Sequence, residues 1–142
     1  MIVLDTNVIS ELARRAPDER VLAWVDHQDE LAVTATIVAE LLYGIAGLPD
    51  GARKSRLAEG IRAIIDDELG AQPIVFDRAA ASQYAEIVST RDRIGRPIGI
   101  ADAQIAATCR DRGAALATRN VRDFEDVGIT VVNPWIAPID SC

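Results

Sequence analysis

The sequence predicts an α/β protein, a twisted parallel sheet of about five strands with helices on both faces. Three observations lead to this prediction. Five short apolar runs alternate with longer stretches whose apolar residues follow helical spacing. Such alternation is typical of a parallel sheet covered on both faces. The chain has 142 residues, 49% of them apolar, so a single domain with a substantial core is expected and a disordered chain is excluded.

In the first half of the chain, cap residues and apolar spacing define each element in turn. Strands are predicted over residues 1–4 and 31–33, and helices over residues 8–14, 17–25, 34–46 and 52–69. Thr6 and Asn7 supply turn or cap chemistry before the first helix, and Pro17 begins the second. Thr34 or Thr36 caps the third, which a cluster of glycine and proline ends. The fourth is a long amphipathic helix.

The second half continues the alternation. Strands are predicted over residues 73–76, 115–118 and 129–132, and helices over residues 78–94 and 100–112. Asp77 caps the first of these helices and Gly113 ends the second. Residues 1–135 are therefore expected to form one domain, and residues 136–142 a flexible C-terminal tail.

Three carboxylates each lie alone in a charge-free apolar stretch. They are Asp5 in residues 1–10, Glu40 in residues 32–49 and Asp102 in residues 97–109. A carboxylate buried without a partner is unfavourable, and none of the three has a nearby Lys or Arg on its own element. Because ligands of parallel sheets bind beyond the carboxyl ends of the strands, we expect Asp5 to meet the other two there, together with Asn120, which follows the fourth strand.

A shared divalent cation is the simplest explanation for this trio. Two carboxylates about 4 Å apart repel each other by about 4 kcal/mol at an effective dielectric constant of 20. Hard oxygen ligands suit Mg²⁺ or Mn²⁺, which activate water for phosphodiester hydrolysis without a Ser, Cys or His nucleophile. The structural alternatives are a helix cap at Asp5, a solvent-facing Glu40 and a first-turn acid at Asp102.

Charge and motif content exclude several classes of function. A net charge of −7 argues against nucleic-acid binding through a general basic field, although a local arginine cluster remains compatible with it. Two such clusters are Arg91, Arg93 and Arg96, and Arg119 and Arg122; each either contacts phosphates or forms a solvated basic face. The sequence has no CxxC, HExxH, P-loop or GxSxG motif, so zinc sites, ATP binding and acyl-transfer triads are unsupported.

The expected location is the cytoplasm, with no membrane association. No apolar run reaches the roughly 18 residues of a membrane-spanning helix, and the N-terminus has no features of a secretory signal. Cys109 and Cys142 are compatible with a reducing compartment.

Five segments resemble the motifs of PIN-domain ribonucleases, in order and spacing along nearly the whole chain. They are residues 2–10 (IVLDTNVIS), 39–44 (AELLYG), 100–107 (IADAQIAA), 117–124 (ATRNVRDF) and 133–135 (NPW). The group with the greatest similarity is the VapC and FitB-like toxins of bacterial toxin–antitoxin pairs. This resemblance implies a PIN-like three-layer fold and cleavage of RNA dependent on Mg²⁺ or Mn²⁺. It also implies inhibition by a VapB-like antitoxin, as well as a homodimer, or a heterotetramer or hetero-octamer with the antitoxin.

The resemblance also assigns roles to individual residues. Asp5, Glu40 and Asp102 match the metal-binding acids. Thr6 and Asn7 match positions that support the first acid. The fourth acidic position falls on Asn120, where an amide can ligate or orient water but adds no charge. Asp123 is the alternative at this position, and Arg119 beside it is a candidate for substrate binding.

Two other functions remain open. A PIN-like module that binds RNA or protein without cleaving has no need for an intact acidic trio. A haloacid-dehalogenase-like phosphatase is a second enzyme class, because residues 5–7 resemble its opening aspartate pair. That class requires a second aspartate where this chain has Asn7, and a later lysine, whereas Lys54 is the only lysine.

Overall fold

A four-stranded parallel sheet lies at the centre of the computed structural model, which describes residues 1–70 and 72–139. The strands are β1 (Ile2–Leu4), β2 (Leu31–Ala32), β3 (Ala115–Ala117) and β4 (Val131–Val132), in the spatial order β2-β1-β3-β4. Every neighbouring pair is parallel, so each strand is joined to the next by a crossover connection that returns the chain to the same end of the sheet. The predicted α/β class and parallel sheet are confirmed.

Six α-helices connect the strands. They are α1 (Thr6–Leu12), α2 (Glu19–Asp26), α3 (Ala35–Ala46), α4 (Ala52–Ala63), α5 (Arg78–Arg93) and α6 (Ile100–Arg112). The hydroxyl of Thr34 accepts from the backbone N–H of Ile37, so Thr34 rather than Thr36 caps α3. Asp77 caps α5 as predicted, and Gly113 ends α6 in the left-handed conformation at φ 63°.

Both faces of the sheet are covered. Side chains of consecutive strand residues point to opposite faces, yet Val3 and Leu4 in β1 are both fully buried, as are Leu116 and Ala117 in β3. Helix α6 is buried around most of its circumference and packs on α5, α3 and β3. This arrangement places the N-terminus of α6 near the carboxyl ends of β1 and β3.

The predicted strand over residues 73–76 is reduced to a single bridge. Ile74 pairs in parallel with Thr34, and its N–H donates to the carbonyl of Val33. Pro73 has no N–H to continue the ladder, and Val75 is exposed. One residue therefore extends the sheet beyond β2 where four were expected.

The predicted helix over residues 52–69 changes character at Ile64. Helix α4 ends at Ala63 and a π-helical turn (Ile64–Glu68) follows, closed by the N–H of Leu69 on the carbonyl of Ile64. In this turn the residue five positions after Ile64 donates to its carbonyl, whereas in an α-helix the residue four positions after it would do so. As a result Leu69 is buried and Glu68 remains exposed to solvent.

The C-terminal segment was predicted to be a tail over residues 136–142. The N–H of Ala137 donates to the carbonyl of Asn133, and Ile136 is exposed. Residues 140–142, including Cys142, lie outside the described residues. Within the described part of the chain, no helix is both long and apolar enough to span a lipid bilayer.

Candidate active site

Asp5 lies where β1 ends and α1 begins. Its backbone N–H donates to the carbonyl of Ala117 at 2.9 Å, which continues the β1–β3 ladder by one residue. Its side chain accepts from the N–H of Thr6 at 2.8 Å and so caps α1. The cap is therefore Asp5, the structural alternative that the sequence offered for this residue, and not Thr6 or Asn7. Asp5 is only 4% exposed, so the sheet and the helix together fix the position of its carboxylate.

Thr118 holds the second carboxylate oxygen of Asp5. Its hydroxyl donates to Asp5 Oδ2 at 2.7 Å. The same hydroxyl accepts from Asn7 Nδ2 at 3.0 Å and from the backbone N–H of Asn120 at 3.0 Å. One donor and two acceptor positions are thus all used. The sequence pattern assigns Thr118 only to the end of a strand. The one sequence feature that could have identified it as a site residue is its polar side chain at the carboxyl end of a strand beside β1.

Glu40 and Asp102 come from two different helices. Glu40 lies in the middle of α3 and Asp102 in the first turn of α6, and both are half-buried. A hydrogen bond of 3.1 Å joins the hydroxyl of Thr36 to Gln104 Oε1 and ties the two helices together. Thr36 is four residues before Glu40, on the same face of α3, so this bond fixes the Glu40-bearing face of α3 against α6, although Gln104, two residues after Asp102, lies on a different face of α6.

The charges of Asp5 and Asp102 act on the pKa of Glu40, and the charge of Asp5 acts on the pKa of Asp102. Burial raises the pKa of Asp5, although hydrogen bonds from Thr118 and Thr6 act in the opposite direction. The pKa of Glu40 is raised by burial and then by the charges of Asp5 and Asp102. The pKa of Asp102 is raised by burial, by Asp5 and by Asp123, and lowered by Arg91. Each charge is therefore unfavourable for its neighbours when all are ionised.

The donor chemistry fits a hard divalent cation. All causes acting on Glu40 disfavour its ionised form, which a nearby cation would reverse. Across residues 1–70 and 72–139, no three Asp, Glu, His or Cys side chains are already close enough to form a ready-made metal cluster. Binding of one ion would therefore require the carboxylates of Asp5, Glu40 and Asp102 to turn toward each other.

The two candidates for the fourth position, Asn120 and Asp123, are linked to different carboxylates of the trio. Asn120 is exposed and is held through its backbone by Thr118, next to Asp5. Asp123 is exposed in the 3-10 helix (Val121–Phe124), and its charge raises the pKa of Asp102. The motif resemblance favours Asn120, whereas the effect of its charge on the pKa of Asp102 links Asp123 to the site.

Arg91 and Arg96 brace the loop that precedes α6. Arg91 is 4% exposed, and its guanidinium donates to the carbonyls of Arg96, Asp123 and Glu125 at 2.6, 3.1 and 3.0 Å. Arg96 forms ion pairs with Glu125 and Asp126 at 3.0 and 3.3 Å. For Arg91, both the phosphate-binding and the solvated-face interpretation are wrong. The residue joins the end of α5 to the 3-10 helix.

An open cleft of about 410 Å³ begins at Glu40 and runs between α1, α3 and α4. Its polar end contains Thr6, Ser10 and Glu40, and its other end is apolar. A substrate chain can therefore approach the carboxylates from this side as well as from the exposed edge at Asn120.

Comparison with known proteins identifies the class. The sequence model of the family described as "PIN domain" matches residues 2–129, so the chain belongs to the PIN-domain family. The chain is 41% identical over 137 residues to "VapC ribonuclease Y4jK" of Sinorhizobium fredii, which covers 95% of this chain and 98% of that protein. It is 39% identical over 137 residues to "Toxin FitB" of Neisseria gonorrhoeae, with 95% and 99% covered.

A solved structure agrees with this assignment. The structure titled "Structure of FitAB bound to IR36 DNA fragment" superimposes with a TM-score of 0.87 at 38% identity, covering 97% of this chain and 98% of that one. The resemblance seen in the sequence motifs is thereby confirmed at the level of the family and of the fold.

Proposed function

We propose that this protein is a metal-dependent endoribonuclease that acts as the toxin of a toxin–antitoxin pair. The observation that supports the proposal is that the charges of Asp5 and Asp102 raise the pKa of Glu40, and that of Asp5 raises the pKa of Asp102, although the three residues lie on separate elements. The names of relatives that cover nearly the whole chain, a VapC ribonuclease and a FitB toxin, support the same activity.

The chain's own residues would bind and orient the reactants. Asp5, held by Thr118 and Thr6, would hold the ion together with Glu40 and Asp102. A bound Mg²⁺ or Mn²⁺ offsets negative charge that develops on the phosphate and makes a water molecule more acidic. Asn120, at the exposed edge, orients the attacking water through its side-chain amide.

Conservative substitutions of the trio test the activity. Asp5→Asn, Glu40→Gln and Asp102→Asn each remove one charge and keep the side-chain shape, so each should abolish Mg²⁺-dependent RNA cleavage without loss of the fold. RNA cleavage is measured with purified protein, with Mg²⁺ and with chelator, and the fold by circular dichroism. Parent-like cleavage by one variant would remove that residue from the site. RNA binding by the parent without any cleavage would support the silent PIN-like module instead.

We also propose a VapB-like antitoxin partner in the cytoplasm. The similarity to the structure of FitAB bound to a DNA fragment supports assembly with a partner. We propose that the assembly is a toxin homodimer, or a heterotetramer or hetero-octamer with the antitoxin. The carboxylate cluster is anionic, and a guanidinium can bridge two carboxylates, so an antitoxin arginine should occupy the site. A short open reading frame beside this gene, with a DNA-binding N-terminus, would identify the partner. A complex with no cationic side chain within hydrogen-bonding reach of Asp5, Glu40 or Asp102 would contradict this mode of inhibition.

A further inference from the structure

Arg119 is held on an aromatic ring at the mouth of the carboxylate site. Its Cζ atom lies 3.9 Å from the centroid of the Trp135 ring, within the range of a cation–π contact. Arg119 is exposed, whereas Trp135 is half-buried and packs against the hydrophobic core. The ring is thus the fixed partner and the guanidinium the accessible one.

One hydrogen bond of the Arg119 backbone and one of the neighbouring Thr118 side chain place Arg119 beside Asp5. The backbone N–H of Arg119 donates to Asn7 Oδ1 at 3.0 Å. The preceding residue, Thr118, donates its hydroxyl to Asp5 Oδ2. The position of Arg119 relative to the Asp5 carboxylate is therefore set by the same network that orients the carboxylate.

The indole platform is fixed independently. The backbone N–H of Trp135 donates to Asn133 Oδ1 at 3.0 Å, and the carbonyl of Asn133 accepts from the N–H groups of Ile136 and Ala137. This turn follows β4, the strand next to β3 and parallel to it, so Trp135 and Arg119 both lie beyond the carboxyl ends of neighbouring strands. The contact joins the ends of two neighbouring strands.

The guanidinium keeps its N–H donors available. A guanidinium that rests its face on a ring directs its five N–H groups outward in its own plane. Five other arginines of the described chain, Arg14, Arg62, Arg96, Arg110 and Arg112, form ion pairs with carboxylates. Within residues 1–70 and 72–139, no carboxylate or side-chain acceptor is bound by Arg119. It is a positioned cation whose donors are unused.

We propose that Arg119 binds a backbone phosphate of the RNA at the mouth of the site and that Trp135 is the positioning residue for it; this inference rests on the proposed ribonuclease function. A chain of net charge −7 with three clustered carboxylates repels RNA, so approach requires a local cation. A planar fork held by a ring binds phosphate with a defined orientation and loses little freedom when it does so.

The test measures binding of a fluorescent single-stranded RNA by anisotropy over a series of KCl concentrations, in Mg²⁺ and in a Glu40→Gln background that prevents cleavage. Arg119→Ala should weaken binding about tenfold at low salt and reduce the slope of log affinity against log salt by about 0.7, the value for one lost phosphate contact with a single strand. Arg119→Lys should keep the slope but lose affinity, because the charge remains and the planar fork does not.

Arg112→Ala is the matched control. It removes the same charge from the opposite end of α6, about 15 Å from Asp102 along the helix axis, and should change neither affinity nor slope. In a protein that retains Arg119, Trp135→Leu should weaken RNA binding and leave the slope of log affinity against log salt unchanged. It should have no further effect in the Arg119→Ala protein if the ring acts only through the guanidinium. Melting curves of all variants verify the fold.

The outcomes separate this inference from the ribonuclease proposal. If the parent cleaves RNA and Arg119→Ala binds like Arg112→Ala, the inference is overturned and the activity stands. If the parent fails to cleave but RNA binding still depends on Arg119, the inference stands and the ribonuclease proposal fails. No measurable RNA binding by the parent would overturn both. An additional loss from Trp135→Leu in the Arg119→Ala background would overturn the positioning role of Trp135.

Discussion

At the residue scale, one buried hydroxyl organises the site. Thr118 has no exposed surface, and its oxygen binds Asp5, Asn7 and the backbone of Asn120. Thr118→Val preserves shape but removes the hydroxyl that donates to the buried carboxylate of Asp5 and accepts from Asn7 and Asn120, so it should lower the free energy of unfolding by about 1–3 kcal/mol. It should also raise the pKa of Asp5 further, because the lost hydrogen bond lowers it. Urea unfolding measures the first effect.

Thr108 provides the control for that substitution. Its buried hydroxyl donates only to the carbonyl of Gln104, one turn earlier in α6. Thr108→Val leaves no orphaned donor behind and should change the free energy of unfolding by less than about 1 kcal/mol. Equal losses for both valine variants would mean that the Thr118 network contributes nothing beyond an ordinary buried threonine.

Asn120 sets the charge of the site. With Asn120 at the fourth position, the site carries three carboxylates, so one divalent ion should bind well and a second only weakly. Asn120→Asp should tighten Mn²⁺ binding and increase the stoichiometry in a calorimetric titration. Asn120→Ala should reduce cleavage more than metal affinity, because the main ligands remain. If Asn120→Asp has no effect while Asp123→Asn lowers both affinity and stoichiometry, Asp123 is the fourth ligand.

Sequence patterns find residues that are unusual for their surroundings and miss those that are ordinary. Asp5, Glu40 and Asp102 could be found because a charge in a long apolar stretch requires an explanation. Thr118 could not, since threonine is common in strands and its bond to Asp5 spans 113 residues. Arg91 was misjudged because its three acceptors are backbone carbonyls, which carry no sequence signature.

At the element scale, the loop before α6 depends on a single side chain. Arg91→Met keeps the aliphatic stem but removes three charge-assisted hydrogen bonds to the carbonyls of Arg96, Asp123 and Glu125. The free energy of unfolding should fall by about 2–4 kcal/mol. Chemical denaturation checks this value, and loss of RNA cleavage is expected because the 3-10 helix carries Asp123.

Arg93 tests whether position or charge is responsible. It lies on the same helix, is exposed, and donates only to the hydroxyl of Thr90 at 3.3 Å. Arg93→Met removes the same charge and should change the free energy of unfolding by less than about 0.5 kcal/mol. A similar loss in both variants would point to general charge effects rather than to the brace.

Elements were predicted well where local signals decide them. Asp77 and Gly113 are the caps that the sequence predicts directly, and Thr34 is one of the two residues that it offers for the cap of α3. The strand over residues 73–76 was overestimated because an apolar run does not reveal whether a neighbour is available to pair with it. The π-helical turn was missed because helical spacing alone does not distinguish a fifth-residue repeat from a fourth at Ile64 and Leu69.

At the scale of the whole molecule, the folded site and the cation are thermodynamically linked. A divalent ion that binds the folded site far better than the unfolded chain stabilises the fold by about 2.7 kcal/mol at 100 times its dissociation constant. The melting temperature should therefore rise with the concentration of Mg²⁺ or Mn²⁺. An unchanged melting temperature at saturating metal would count against the site. The same titration with Ca²⁺ or Zn²⁺ would measure the selectivity of the site for the metal.

The metal-free protein should show the opposite of ordinary acid unfolding at this site. Burial and the neighbouring charges raise the pKa of Asp102 above its ordinary 3.8, so ionisation of Asp102 destabilises the fold. The stability it contributes is complete below the ordinary value and is lost as pH rises through the raised one. In chelator, Asp102→Asn should melt above the parent at pH 7, and this difference should shrink as pH falls. A difference independent of pH would contradict the linkage.

The order of synthesis has a consequence for the cell that makes this protein. Asp5 leaves the ribosome more than a hundred residues before Thr118 and β3, which hold its carboxylate and its backbone. The central strand β1 therefore has only β2 to pair with until β3 has been synthesised. A ribosome-bound chain stalled before β3 should have no RNA-cleaving activity, because the network around Asp5 does not yet exist. Synthesis of β3 therefore sets a delay between the appearance of Asp5 and the formation of the site around it.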